Sequence, residues 1–338
     1  MSPKTALVVT TIASPNEALA HLADGCGRHG MDFILIGDTK SPPDFALHGC
    51  RYYSIQKQLE TELIFAQKCP TRHYARKNIG YLLAIAEGCD VIFETDDDNE
   101  PLEPFWTMPA FHLSVRVIEN AGWVNVYRYF TDQTIWPRGL ALDAVQQPLP
   151  AYERLEEKSV YCPIQQGLVN SDPDVDAICR LVLPSAEYTF RTDRSVAVGA
   201  GSWCPFNSQS TRWAKEAFML MYLPACCSIR MTDIWRSFVA QRIAWENRWH
   251  ILFHPPVMYQ IRNVHQLMKD FEDEVPGYLH NRRLCEAFEK LDLKSGLAHI
   301  PANLNRCYEK LVELKLVGPE ELELLNAWLA DFVRVLRF

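Results

Sequence analysis

The sequence predicts an α/β protein, a sheet with helices on both faces, followed by a small helical unit at the C-terminus. Over the first hundred residues, short continuous apolar runs alternate with helical patterns, as in a largely parallel sheet buried on both sides. The runs end in polar residues, at Thr10-Thr11, Gly37-Asp38 and Asp96-Asp97-Asp98-Asn99. Ligands of such sheets bind beyond the carboxyl ends of the strands, so these three ends form one candidate site. Beyond about Asn281 the apolar positions recur with helical spacing instead.

Taken in order, Ala6-Leu7-Val8-Val9 reads as a buried strand. Ser14-Pro15-Asn16-Glu17 reads as a capping box with proline at the first helical position, opening a helix to about Arg28. Phe33-Ile34-Leu35-Ile36 is the second strand, and a proline-rich loop runs from Thr39 to Asp44. After the short extended segment Tyr52-Tyr53-Ser54, helices are expected from about Gln56 to Gln67 and from about Ala75 to Glu87, the second stopped by Gly88. Val91-Ile92-Phe93 then runs directly into the acids. The middle region mixes loops with short strands at Trp123-Val124-Asn125-Val126, Gln165-Gln166-Gly167 and Ser195-Val196-Ala197-Val198. Helices are expected near Thr211–Tyr222 and Ile234–Trp249, with an apolar strand at Ile251–Phe253. Leu284, Ala287, Phe288 and Leu291 share one helical face. After a Gly318-Pro319 break, Leu322, Leu325, Trp328, Leu329, Phe332 and Leu336 share another. The expected division is 1–278 and 279–338.

The 338 residues are 48% hydrophobic and 22% charged, the balance of a soluble globular chain. A formal net charge of −8 without a long basic run argues against nucleic-acid or anionic-membrane surfaces. A negative protein handling anionic substrates needs local cations or a metal. The 11 cysteines are odd in number and lack any Cys-x-x-Cys pair. Buried free thiols in a reducing compartment fit them better than a disulfide framework or zinc ribbon. No run of about 18 apolar residues is present, and Met1-Ser2-Pro3-Lys4 leads into too short an apolar stretch for a signal peptide. The expectation is a cytoplasmic chain with no membrane span.

Asp96, Asp97 and Asp98 are the most informative residues. A strand ending in carboxylates places hard oxygen ligands at an exposed edge, where Mg²⁺ or Mn²⁺ can bridge a diphosphate and neutralise it as it leaves. A solvated turn or helix cap also yields such runs, but placement after a buried strand favours the metal. Arg76 and Lys77 open a helix whose free N–H groups attract phosphate; a solvated basic first turn is the plainer alternative. Asp233, in Thr232-Asp233-Ile234-Trp235-Arg236, is a candidate general base, or the N-cap of the following helix. His254, just after an apolar strand, is either a further metal ligand or structural. Arg138, in Trp136-Pro137-Arg138-Gly139, is either a phosphate clamp or turn chemistry. Asp172-Pro173-Asp174-Val175-Asp176 begins like a calcium loop but lacks the glycine and later glutamate of an EF-hand.

Several collinear segments together resemble the STELLO family. They are Val9-Thr10-Thr11-Ile12, Gly37-Asp38-Thr39-Lys40, Ala75-Arg76-Lys77-Asn78-Ile79-Gly80-Tyr81 and Phe93-Glu94-Thr95-Asp96-Asp97-Asp98-Asn99, followed by Trp136-Pro137-Arg138-Gly139 and Asp172-Pro173-Asp174-Val175-Asp176-Ala177. Pro205-Phe206-Asn207-Ser208-Gln209, Thr232-Asp233-Ile234-Trp235-Arg236 and Lys269-Asp270-Phe271-Glu272-Asp273-Glu274 complete the series, over about residues 5–275. A looser similarity in motif order links the chain to the reversibly glycosylated polypeptides, which include UDP-arabinopyranose mutases.

The STELLO resemblance implies a GT-A-like fold, a Rossmann-like mixed sheet flanked by helices, with a helical C-terminal extension outside the matched motifs. Residues 1–278 would be the nucleotide-sugar-binding catalytic domain. The implied activity is a metal-dependent glycosyltransferase with a nucleoside diphosphate sugar donor, a UDP-sugar first, and a carbohydrate or glycoconjugate acceptor. Mn²⁺ or Mg²⁺ would be held by Asp96, Asp98 and His254, with Asp96 also contacting ribose and Asp97 assisting. Thr10, Thr11 and Asp38 would line the nucleoside pocket, Arg76 or Lys77 would contact base or phosphate, and Asp233 would activate or orient the acceptor. The looser similarity implies instead a mutase that glycosylates itself, with Arg138 as the residue concerned. A scaffold without turnover is the third expectation, and the C-terminal helices are candidates for a homo-oligomeric contact. The Golgi placement of the membrane-anchored plant STELLO proteins is not expected here.

Overall fold

The computed structural model describes residues 3–183, 187–261 and 266–336. Strands β1 (Thr5–Thr11), β2 (Asp32–Gly37), β3 (Arg51–Tyr53) and β4 (Val91–Thr95) form a parallel block in the order β3-β2-β1-β4. Their side chains alternate between two cores, as the period-2 geometry of a strand requires. Leu7, Val9, Phe33, Leu35 and Phe93 meet Leu19 and Leu22 of helix α1 (Glu17–His29). Ala6, Val8, Ile34, Ile36 and Ile92 face the larger core with helix α4 (Lys77–Ala86). Continuous apolar runs were therefore readable as strands because both faces are covered.

The remaining strands are β5 (Asn99–Pro101), β6 (His112–Ile118), β7 (Gly122–Trp123), β8 (Glu156–Tyr161), β9 (Ile164–Ser171), β10 (Val196–Val198), β11 (Ser202–Trp203), β12 (Ser210–Ala214) and β13 (Ile251–Gln260). The sheet continues from β4 as β12-β9-β13-β10-β6-β8, with β5 on β13, while β7 and β11 pair separately. Because β12 runs antiparallel to β4, Ser210 stands opposite Thr95. The residues just before β12 are thereby delivered to the acidic end of β4.

Several local expectations need correction. The cap of α1 is Asn16, whose side chain accepts from Leu19 N, so Ser14 and Pro15 lie outside the helix. The expected helix over Gln56–Gln67 is two short ones, α2 (Ile55–Leu59) and α3 (Ile64–Lys68), broken where Glu62 adopts φ 58° and Leu63 is extended. The expected helix over Thr211–Tyr222 begins as strand β12 and continues as a 3₁₀ helix over Lys215–Met221. Its apolar residues suit either period, and pairing on both edges decides for the strand. Trp123-Val124-Asn125-Val126 is strand only at its first residue.

Three further helices precede the last three: α5 (Glu103–Trp106), α6 (Ala177–Val182) and α7 (Ile229–Glu246). Helix α7 starts earlier than expected, after Ser228, so Asp233 lies inside it and is not its cap. Helix α8 (Leu267–Glu289) runs unbroken across residues 278 and 279, and α9 (Ile300–Glu313) and α10 (Glu321–Val335) follow. These pack into the large core through Leu304, Tyr308, Leu325 and Trp328. Glu321 accepts from Tyr222 Oη and from the N–H groups of Ala225 and Cys226, and Asp331 accepts from Phe65 N at 2.7 Å. All 11 cysteines are free thiols. No helix among the described residues is long and apolar enough to cross a membrane.

Candidate active site

The carboxyl ends of β1, β2 and β4 open onto a cavity of about 470 Å³. Thr10, Thr11, Asp38, Arg76, Asp96, Asp97, Asp98, Arg138 and Asp233 all line it. Of the expected site residues, Lys77 and His254 do not.

The acids follow directly from β4 and are held apart by different partners. Asp96 Oδ1 accepts from Tyr74 Oη at 2.6 Å and lies 3.4 Å from Lys77 Nζ. Asp97 Oδ2 accepts from Thr11 Oγ1, and Asp98 Oδ1 accepts from Gln260 Nε2 at 2.9 Å. Burial raises the Asp96 carboxyl above its ordinary value, against the opposing pull of Lys77 and Tyr74. Burial likewise raises Asp97, opposed by the Thr11 hydrogen bond. Among the described residues no group of three or more His, Cys, Asp or Glu side chains closes into a metal cage. The donor set is nevertheless the right one for a hard cation. Mg²⁺ is ordinarily held by one or two carboxylates together with substrate phosphates, not by an all-protein cage.

Lys77 is fully buried behind the acids, its Nζ donating to Thr95 O and Tyr74 Oη, both at 2.6 Å. Arg76 is also buried, and burial lowers its pKa. Its Nε donates to Gln58 Oε1 and its Nη1 to Cys69 O, each at 2.8 Å, while Nη2 is buried with no partner among the described residues. Asp38 accepts from Thr39 N at 2.6 Å and His73 N at 3.2 Å at the neighbouring strand end.

Asp233 faces the acids from α7. Its Oδ2 accepts from Arg138 Nη2 at 3.0 Å, Ser208 N at 3.2 Å and Ser208 Oγ at 3.3 Å. Its Oδ1 has no hydrogen-bond partner among the described residues. Ser208 Oγ also lies 2.7 Å from Tyr74 Oη, so Asp96, Tyr74, Ser208 and Asp233 form one continuous chain of contacts. Arg138 is 6% exposed; Asp174 takes its Nε and Nη2 in a fork at 2.8 and 2.7 Å, and Arg230 O takes Nη1.

His254 lies in the middle of β13, not at a strand end. Six residues of extended chain, about 20 Å, separate it from Gln260, which touches Asp98. Burial pushes its imidazole down to about 4. Tyr74, Gln209, Gln260, Asp174 and Arg230 also line the cavity, and Ser208 stands behind its wall between Tyr74 and Asp233; none of the six was proposed as a site residue from the sequence. Ser208, Gln209 and Asp174 lay within motifs already recognised; Tyr74, Gln260 and Arg230 carried no sequence signal.

Residues 230–338 match the family model described as STELLO glycosyltransferases. Two Arabidopsis thaliana proteins align over 97% of the chain: probable glycosyltransferase STELLO2 at 27% identity and probable glycosyltransferase STELLO1 at 26%. The chain is therefore similar to the STELLO glycosyltransferases. It spans 44% of the length of each of those curated relatives. The STELLO match runs through α8, α9 and α10, past residue 275 where the recognised motifs ended. Among solved structures, glucosyl-3-phosphoglycerate synthase from Mycobacterium tuberculosis, in complex with Mn²⁺, UDP-glucose and phosphoglyceric acid, aligns with a TM-score of 0.42 at 10% identity. That alignment covers 83% of this chain and 80% of that one. A second structure of that M. tuberculosis enzyme gives a TM-score of 0.43 at 10% identity, covering 83% and 81%.

Proposed function

We propose that the protein transfers a sugar from a nucleoside diphosphate donor, a UDP-sugar, to a hydroxyl-bearing acceptor, with a GT-A-type site assisted by Mn²⁺ or Mg²⁺. The observation that carries this reading is Asp233, whose Oδ1 has no partner among the described residues, across one cavity from Asp96, Asp97 and Asp98. A divalent cation there would neutralise charge on the departing diphosphate. Asp96 and Asp98 would hold it, with Asp97 braced on Thr11. Lys77 fixes the end of β4 from behind, so the acids need not rearrange for each substrate. Asp38 offers acceptor oxygens and Arg76 Nη2 a buried donor with no partner among the described residues, a pair complementary to an N–H beside a carbonyl, the imide edge of uracil. Asp233 orients the acceptor hydroxyl through Oδ1 and takes its proton if the anomeric centre inverts. The division into a catalytic part over 1–278 and a helical part over 279–338 belongs to this reading.

The test is calorimetric titration of UDP with and without Mn²⁺, followed by transfer assays with UDP-sugars. Wild type is expected to bind UDP in a metal-dependent way, and Asp96→Ala/Asp98→Ala to lose that binding. Asp233→Asn is expected to keep UDP binding while transfer falls about 10²–10⁴-fold. Folded wild type that binds no UDP at any metal concentration would sink the proposal.

A further inference from the structure

Arg138 belongs to a line of alternating charges that runs from the cavity to the C-terminal part of the chain. Asp233 pairs with Arg138 at 3.0 Å and Arg138 with Asp174 at 2.7 Å. Arg230 lies 3.8 Å from Asp174 and 2.6 Å from Glu274 of α8. The side chains of all five members are at most 15% exposed. Glu274 is tied further, by Ala177 N at 2.8 Å and by Tyr278 Oη.

A guanidinium that is to take up a sugar must present a nitrogen to the donor. Arg138 presents none: Nε and Nη2 are committed to Asp174, Nη2 also to Asp233, and Nη1 to Arg230 O. Burial works to lower its pKa, but Asp174 and Asp233 more than offset this and raise it well above the ordinary value. A group so held cannot supply the neutral nitrogen that would attack an anomeric carbon. What the fork does instead is directional. Asp174 fixes the guanidinium plane, and the remaining Nη2 hydrogen, with Ser208, takes Oδ2 of Asp233, leaving Oδ1 for the cavity. A planar fork gives such orientation where a flexible ammonium does not.

Resting on the proposed transfer reaction, we infer that Arg138 is a positioning residue that aims Oδ1 of Asp233 at the acceptor, and is not a site of self-glycosylation. Asp174 holds Arg138 in that task, and Arg230 and Glu274 hold Asp174.

The experiment uses the full chain with Arg138→Gln, Arg138→Lys and Arg138→Gln/Asp174→Asn. The double variant removes a buried acid together with its partner, so it keeps the test alive if the single one does not fold. Three readouts are taken. UDP binding in the presence of Mn²⁺ is expected within about threefold of wild type, while kcat for transfer falls at least about tenfold with little change in donor KM, and Arg138→Lys recovers part of the loss. In crystal structures of the Gln variants, the Asp233 carboxylate is expected to move by more than the roughly 0.5 Å tolerance of a working site. Intact-mass spectra of wild type incubated with UDP-sugars are expected to show no added sugar.

A sugar adduct on wild type that Arg138→Lys abolishes overturns the inference, as does an unmoved Asp233 in the Gln variants. Neither outcome depends on turnover. If wild type transfers no sugar, the proposed reaction fails while the crystallographic and mass arms still decide the role of Arg138.

Discussion

At the scale of single residues, His254 shows how a reasonable chemical expectation fails. A histidine after an apolar strand is indistinguishable in sequence from a metal ligand at a strand end. The strand simply continues, through two register shifts around Pro256, and leaves the imidazole buried. Its Nδ1 lies 3.2 Å from Pro255 O, and its Nε2 has no partner among the described residues. Because burial holds the folded-state value near 4, the unfolded chain binds a proton below about 6.5 that the folded chain refuses. Stability contributed by the neutral ring is therefore whole above about 6.5 and declines by about 1.4 kcal/mol per pH unit towards 4. Urea unfolding of wild type between pH 6.5 and 4.5 should accordingly steepen its loss of stability relative to His254→Asn. Parallel pH profiles for the two proteins would refute the assignment. Asp233 was legible as a candidate base because carboxylates announce themselves. Ser208, Gln209 and Gln260, neutral and scattered over fifty residues, become meaningful only once the sheet brings them beside the acids.

At the scale of elements, the parallel block could be read from the sequence because each of its strands is apolar on both faces. Strand β12 could not, because nothing in Ser210–Ala214 distinguishes an antiparallel insertion from a helical turn. Its insertion nevertheless decides what sits beside the acids, by delivering Ser208 and Gln209. Helix α7 works with it. Asp233 looks into the cavity, and one turn later Arg236 pairs with the buried Glu94 of β4 at 2.8 Å, so the helix is pinned directly behind the acids. On the other side α4 lies tight against the sheet at Gly80, where a Cβ would meet Val8 Cγ1 at 2.5 Å and Ile36 Cγ1 at 3.0 Å. Overpacking of this kind costs about 1–3 kcal/mol. The better helix propensity of alanine returns about 1 kcal/mol of it. Gly80→Ala should lower the midpoint of urea unfolding with an unchanged slope; a raised midpoint would show that α4 can move off the sheet freely.

At the scale of the whole molecule, the C-terminal helices were legible as helices but not in their relation to the rest. Amphipathic spacing identifies a buried face without saying what buries it. Here Trp328 and Phe65, Tyr222 and Tyr308 share one aromatic cluster. Glu321 and Asp331 satisfy backbone N–H groups around residues 225 and 65, far away in sequence. Removing residues 300–338 would expose Leu220, Tyr222 and Phe65 and strip those acceptors at once. The truncated chain is expected to lose its near-ultraviolet circular dichroism and cooperative unfolding. A truncated chain that unfolds cooperatively and still binds UDP would show the helices to be dispensable.

The contacts from Asp96 through Tyr74 and Ser208 to Asp233 hold one more consequence, and it is a matter of counting hydrogens. Three contacts join the four groups, yet the two hydroxyls between the carboxylates own only two protons. Lys77 also donates to the Tyr74 oxygen, so no spare hydrogen arrives from that side. With both carboxyl groups ionised, one contact must lapse. While Tyr74 serves Asp96 and Ser208 serves Tyr74, the 3.3 Å contact from Ser208 Oγ to Asp233 is the one without a proton. When Asp96 is otherwise occupied, the Tyr74 proton is released to Ser208, and the Ser208 proton to Asp233. Occupancy at one end of the cavity is thus felt at the other by the turning of two O–H bonds, with no heavy atom obliged to move.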